Sequence, residues 1–300
     1  MESIRHLNLI QMCRPFFRKI SLLLDAIKFQ ESVFALPFAY TGMVLAADGL
    51  PTWHQFIWIT IAMVTARTIG MSANRIIDHS IDSRNPRHLQ RHLPSGKLQV
   101  LDMMILNMSS LIIFFIASAQ LNKLALILAP VAAIYIIAYP YAKRFTWTAS
   151  LILGCALAIA PSAAWIGVTG SLTWNPVLLS IAVALWASSF DILYHTQDKE
   201  FYLRDGLHSI AERFGILAAF RWTRYLDALS IICLFSLGVN MSLGWPYYVG
   251  CSISASLLVY KHTMVSPHDV SRLGTAFFRI NSYISTAIFI GTLASVLLSQ

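Results

Sequence analysis

FIWITIAMVTARTIGMSANRIIDHSID, residues 56–82, opens as an apolar run and closes as a stripe of acids. Through Met71 its only charge is Arg67; then Asn74, Asp78 and Asp82 follow at intervals of four. A bilayer hydrocarbon core of roughly 30 Å takes ~20 mostly apolar residues in a helix. Comparable runs recur at 33–47, 54–72, 100–119, 123–140, 149–169, 176–190, 223–242, 245–260 and 280–299. Helices of soluble proteins keep a polar face, so a soluble core cannot conceal this many such segments. A chain of 300 residues, 57% hydrophobic and 12% charged, therefore reads as an all-α integral membrane protein. The expectation is one domain over 1–300, a bundle of about nine transmembrane helices.

The formal net charge of +8 invites a nucleic-acid reading, but its distribution excludes one. With the N-terminus in the cytoplasm, every Lys and Arg except Arg67 and Lys123 falls in segments on the cytoplasmic side. This positive-inside bias predicts a multi-pass protein of the inner membrane, N-terminus in and C-terminus on the opposite side. No cleavable signal peptide is visible in the first 30 residues, which form a basic interfacial segment. Within them, RKISLLLDAIKF (18–29) has the pattern of an amphipathic helix lying on the lipid bilayer. Cys13, Cys155, Cys233 and Cys251 form no CxxC pair, and the last three read as small buried apolar residues.

The connections on the outer side are short, whereas those after the second and sixth runs are long and polar, which places function at the cytoplasmic face. Each long connection opens with acids at helical spacing. Asn74, Asp78 and Asp82 stack on one helix face, and two carboxylates one turn apart need a cation, from Arg67, from Arg75 or from a metal. In FDILYHTQDKEFYLRDG (190–206), Asp191, Tyr194, His195 and Asp198 share a second face. Ionisable groups beside a membrane span are costly and mark function. Converging Asp and Asn oxygens with no Cys suit a hard cation, Mg²⁺ foremost, which completes its shell with substrate phosphate and water. YPYAKRFT (139–146) ends the fourth run with Lys143 and Arg144, cations suited to a phosphate, one turn after Tyr139. His79, His88, His92, His195 and His208 show no zinc spacing and read as polar loop residues.

NRIIDHSIDSRNPR, YPYAKRFT and DILYHTQDKEFYLRDGLHSIAERFG, in this order, resemble the three motifs of the UbiA superfamily of intramembrane aromatic prenyltransferases, over roughly 25–290. Looser details, such as IKFQESVFALPFAY and DGLHSI, resemble its bacterial 4-hydroxybenzoate polyprenyltransferase and UbiA-like branch, which serves ubiquinone or menaquinone biosynthesis. The resemblance implies helices around a central cavity open to the cytoplasmic side, with Mg²⁺ holding the diphosphate of a polyprenyl diphosphate. Asn74, Asp78 and Asp82 would hold one metal, and Asp191 and Asp198 the other, the four acids forming the catalytic set. Arg67, Tyr139 and Lys143, with Arg144 beside them, would contact the diphosphate. The last Asp of the third motif falls on Tyr202, a poor Mg²⁺ ligand, so that Glu200 or Asp205 substitutes or the second metal is held more weakly.

A small aromatic carboxylate, 4-hydroxybenzoate or a dihydroxynaphthoate, would be the acceptor, with Arg87, Arg91 and Tyr194 as candidate contacts. Sequence leaves the choice of acceptor and the prenyl length open. A transporter or lipid flippase is the alternative class. It predicts charge deeper inside the spans and inverted repeats broken by Gly or Pro, whereas here only Arg67 lies well within a span. The pattern of CDP-alcohol phosphotransferases is absent.

Overall fold

The computed structural model describes residues 18–267, 269–270 and 273–299, without the side chains of 31–35 and 275–278. Residues 1–17 of the expected interfacial segment, Cys13 among them, lie outside that description. Residues 18–26 are helical and form α1. The long helices that follow are α2 (Phe29–Ala47), α3 (Trp53–Ile77), α5 (Val100–Leu121), α6 (Lys123–Ala138), α7 (Ala149–Thr169), α8 (Trp174–His195), α11 (Ile216–Asn240), α12 (Trp245–Met264) and α13 (Thr275–Leu298). Short helices occupy the two long polar connections: α4 (His79–Asp82) in the first, α9 (Lys199–Asp205) and α10 (Ile210–Phe214) in the second. Among the described residues there is no sheet, only an isolated bridge between Ser266 and Asp269.

Each expected apolar run lies on one of the long helices. Seven stretches among the described residues are long and apolar enough to cross a membrane: Trp53–Ile77, Val100–Leu121, Lys123–Arg144, Ala149–Thr169, Trp174–Asp205, Ile216–Asn240 and Arg279–Leu298. The described apolar part of α2 is the shorter Leu36–Ala47. α12 falls outside this set because serines and the Lys261–His262 pair dilute its apolar content.

The distribution of polarity is that of a protein in lipid. Ile105, Ile112 and Ile116 on α5 and Ile127, Val131 and Ile134 on α6 are exposed, while Thr41, Ser72, Asn107, Thr223 and Ser254 are buried. Asn107 Nδ2 donates to Ile69 O at 2.9 Å and to Ser72 Oγ at 2.8 Å, clamping α5 to α3. Small residues allow backbones to meet: a Cβ on Gly154 of α7 would lie 2.4 Å from the Ala184 carbonyl oxygen of α8. Cys155 is exposed, Cys233 half-buried and Cys251 buried, so the cysteines are not uniformly interior; apolar surface facing lipid needs no burial within the protein.

Helix ends follow local chemistry. Thr52 and Gln55 make a reciprocal capping box at the start of α3, and at α5 Gln99 N donates to Asp102 Oδ2 at 3.0 Å. A buried ionic cluster fixes the second half of the bundle. Asp227 of α11 lies 2.6 Å from Lys261 and 2.7 Å from His262 of α12, and Lys261 also donates to Ser189 Oγ of α8 at 3.1 Å. Lys261 is fully buried. A buried ammonium persists only with such partners.

Candidate active site

The acids of the two polar connections meet at one cavity of about 260 Å³, lined among others by Asn74, Asp78, Asp82, Asp191 and Asp198. α3 ends at Ile77, and Asp78 takes φ −89°, ψ 0° before α4 begins. The ladder nevertheless continues, Asp78 N to Asn74 O at 2.9 Å and Asp82 N to Asp78 O at 2.7 Å, so the four-residue stacking survives the change of helix. Asp78 is 1% exposed. It accepts from Asn74 Nδ2 at 3.0 Å and from Lys143 Nζ, while its Oδ1 lies 3.8 Å from Arg144 Nη2.

Arg91 Nη1 donates to both Asp82 oxygens at 2.7 Å, and His88 Nδ1 lies 3.0 Å from Asp82 Oδ1. Arg91 Nη2 also stands 2.9 Å from His88 Nε2. One arrangement satisfies all of these contacts: a neutral His88 accepting at Nε2 and donating from Nδ1. Burial raises the Asp82 carboxyl, but the His88 hydrogen bond and the Arg91 charge outweigh it and hold the carboxyl at about 2. Burial, and after it the neighbouring Arg91 charge, push the His88 imidazole below its ordinary value against the opposing pull of Asp82.

On the other side, α8 ends at His195, a 3₁₀ turn spans Thr196–Asp198, and α9 follows. Tightening at the turn leaves Asp191 and Asp198 on the same cavity. Asp198 Oδ1 accepts from Asn85 Nδ2 at 3.0 Å and lies 2.7 Å from Arg87 Nη1. Asp191 Oδ2 sits 3.1 Å from His195 Nδ1 without hydrogen-bonding geometry. The 3₁₀ turn Tyr139–Arg144 places Tyr139 and Lys143 on the cavity. The same cavity is also lined by apolar and aromatic side chains: Met71, Leu153, Leu157, Trp186 and Phe190.

Among the described residues, no group of three or more His, Cys, Asp or Glu side chains forms a self-sufficient metal cage. The donor set still fits Mg²⁺ of the kind that takes one or two carboxylates and fills its octahedron with phosphate and water. Asp78 Oδ1 and Asp191 Oδ2 are buried hard acceptors, the first 3.8 Å from Arg144 Nη2 and the second 3.1 Å from His195 Nδ1. Asp82 and Asp198 are neutralised by Arg91 and Arg87, so a metal reaching either carboxylate competes with a guanidinium.

Of the residues expected from sequence, the cavity gathers Arg67, Asn74, Asp78, Asp82, Arg91, Tyr139, Lys143, Asp191, Tyr194 and Asp198. Arg87 and Arg144 stand outside its lining. Arg87 bonds Gln197 Oε1 and lies 5.4 Å over the Tyr194 ring; Arg144 donates to Ile77 O at 2.7 Å and lies 5.0 Å over Tyr141. Arg75 sends its Nε to Ala26 O of α1 at 3.0 Å, so Lys143 and Arg91 make the ion pairs with Asp78 and Asp82. Neither acid offered in place of Tyr202 lines the cavity: Glu200 is exposed and Asp205 is held by Arg84 at 2.8 Å. Tyr202 itself is buried on the cavity wall, its ring 5.5 Å from that of His195.

Sequence reasoning missed Asn85, His88 as a partner of Asp82, the open donor of Trp186, and Asn281. Asn85 and His88 sit in the charged stretch after the first acids, which is the signal that pointed there; nothing local marks Asn281.

Comparison with known proteins gives the family and the fold. Residues 35–283 match the profile of the UbiA prenyltransferase family. The chain is 29% identical over 261 residues to 4-hydroxybenzoate octaprenyltransferase of Vibrio campbellii, covering 84% of this chain and 88% of the relative. It is 29% identical over 254 residues to the protein of that name from Methylobacillus flagellatus, covering 85% of each. A solved UbiA homologue from Aeropyrum pernix K1, in its apo form, superposes with a TM-score of 0.80 at 27% identity, over 90% of this chain and 98% of that one. A homologue from Archaeoglobus fulgidus bound to GPP and Mg²⁺ shares the fold, with a TM-score of 0.72 at 16% identity over 92% and 99% of the two chains.

Proposed function

The chain belongs to the UbiA prenyltransferase family and is a membrane prenyltransferase; from that premise we propose that it transfers a polyprenyl group from polyprenyl diphosphate to a small phenolic aromatic acid in quinone biosynthesis, in a Mg²⁺-dependent reaction. The observation that carries this reading is the convergence of Asp78, Asp82, Asp191 and Asp198 with Lys143 on one cavity that is also lined by Met71, Leu153, Leu157, Trp186 and Phe190. An amphiphilic donor, with a charged head and an isoprenoid tail, matches that lining. Family membership leaves the transporter alternative without support.

Asn74, Asp78, Asp82, Asp191 and Asp198 are the residues that would hold Mg²⁺, which when bound supplies charge to the diphosphate as the allylic C–O bond breaks. Lys143, Arg67 and Tyr139 bind and orient the leaving group. The C–O electron pair departs with the diphosphate, and positive charge develops on the prenyl carbon. Trp186, Phe190 and Tyr194 face that charge with their rings. An electron pair from the ring carbon forms the new C–C bond, and the ring proton passes to a base on the cavity. The apolar wall excludes water, which would otherwise quench the allylic cation.

The reading includes the inner membrane as location and a cytoplasmic N-terminus, supported by the bias of Lys and Arg to one set of connections. The acceptor is 4-hydroxybenzoate, as the names of the relatives suggest, or a dihydroxynaphthoate. Membranes containing the protein, supplied with radiolabelled polyprenyl diphosphate and each acid, are expected to yield a prenylated aromatic product that disappears with EDTA. Absence of product with either acid, or a rate unchanged by EDTA, overturns the corresponding part of the reading.

A further inference from the structure

The cavity lining contains polar atoms that prenyl transfer, as derived above, does not use. Asn281 of α13 lines the cavity, is 5% exposed, and has no hydrogen-bond partner among the described residues for either Oδ1 or Nδ2. The indole Nε1 of Trp186, on the same cavity, is likewise buried and unpartnered. The Trp186 ring is held between Phe38, at 5.0 Å, and Phe190, at 5.1 Å, so its N–H is fixed in direction. Trp186 lies five residues before Asp191 on α8, about 7 Å further into the bundle. Trp186 therefore stands more than one helical turn from Asp191 along α8.

Buried amide and indole groups are ordinarily hydrogen-bonded, and an isoprenoid tail offers them nothing. A carboxylate would accept from Asn281 Nδ2 and Trp186 Nε1 but would bring its charge against Asn281 Oδ1. A phenolic hydroxyl answers both amide atoms, its O–H donating to Oδ1 and its oxygen accepting from Nδ2, and Trp186 Nε1 offers a further donor on the same cavity. We propose that Asn281, with Trp186, binds the hydroxyl of the aromatic acceptor and selects phenols over ring acids that lack it. The inference rests on the aromatic prenyl-transfer reading. A site built to hydrogen-bond a hydroxyl discriminates strongly against the analogue without it, because its own buried groups are then left unpaired.

Two measurements on the full chain in detergent test this: equilibrium binding by calorimetry and steady-state transfer. The probe pairs are 4-hydroxybenzoate against benzoate and dihydroxynaphthoate against naphthoate. The wild type is expected to bind the hydroxylated member of at least one pair tenfold or more tightly. Asn281→Leu, which keeps the size and removes both polar atoms, should bring that ratio within twofold. It should also raise the acceptor KM about tenfold, with the KM for polyprenyl diphosphate unchanged. Trp186→Phe, which retains a ring, should shift both quantities in the same direction by less, and it decides the matter should Asn281→Leu melt at a lower temperature than the wild type.

A wild type that does not discriminate, a ratio retained in Asn281→Leu, or equal rises in both KM values overturns the proposal. Discrimination lost in the variant while the wild type makes no prenylated product leaves the hydroxyl site standing and defeats the proposed function. Product formation with the ratio retained in the variant does the reverse.

Discussion

Asn85 Nδ2 donates to Asp198 Oδ1 at 3.0 Å, joining the connection after the first acidic stretch to the turn that ends the second. Both residues are almost fully buried, 1% and 2% exposed. The two halves of the polar site are thus held together by an amide that no motif spacing announces. Removing partners that orient metal-binding carboxylates typically costs 10–100-fold in metal affinity or activity. Asn85→Ala is therefore expected to lower kcat/KM by about 10–100-fold and to raise the Mg²⁺ concentration for half-maximal rate, measured by titrating Mg²⁺ in the transfer assay.

Asp78 and Lys143 form a close pair at the cavity floor. Loss of one preorganised electrostatic group costs on the order of 10²–10³ in kcat. Asp78→Ala and Lys143→Met should each do so. Because they act on one charge distribution, the double variant should be far less impaired than the product of the two losses. Multiplicative losses would show that the two side chains act independently.

Tyr202 occupies the cavity wall where the third acidic motif ordinarily ends. A phenol is a poor Mg²⁺ ligand at neutral pH, so Tyr202→Phe should retain activity within about tenfold, a difference of roughly 1.4 kcal/mol in the barrier. Tyr202→Asp adds a hard oxygen ligand and should shift the Mg²⁺ titration to lower concentrations. A shift to higher concentrations would show that the phenol, and not its absence, supports the metal site.

His88 is held neutral between Asp82 and Arg91, with its folded value below the ordinary one. The unfolded chain binds that proton more readily, so stability declines as pH falls through about 6.5. Asp82 works in the same direction at lower pH: its contribution is present above the ordinary carboxylate value and lost as pH falls toward about 2. Melting temperatures in EDTA should drop between pH 7.5 and 5.5 for the wild type and drop less for His88→Gln.

The Asp227–Lys261–His262 cluster lies outside the cavity lining, and its loss should affect folding before chemistry. Breaking a buried ion pair by deleting one partner costs about 3–5 kcal/mol. Lys261→Met should lower the unfolding free energy in detergent by an amount in that range, while the KM values of the folded fraction stay unchanged.

Sequence alone determined that the chain lives in a bilayer, because lipid offers the backbone no hydrogen bonds and only long apolar helices or closed barrels cross it. It also determined which side chains share a face: spacing by four brought Asn74, Asp78 and Asp82 together even though the helix changes at Asp78. Tertiary structure decided the pairings. The sequence offered Arg75 as a partner for the acids, yet Arg75 reaches α1 and Arg91 pairs with Asp82, and Asn281 looked like any polar residue of a long apolar helix. Periodicity fixes the face a residue occupies on its own helix. Which residue it meets depends on how that helix is rotated and crossed against others far along the chain, and that is set by packing at contacts such as Gly154 against Ala184, not by local spacing.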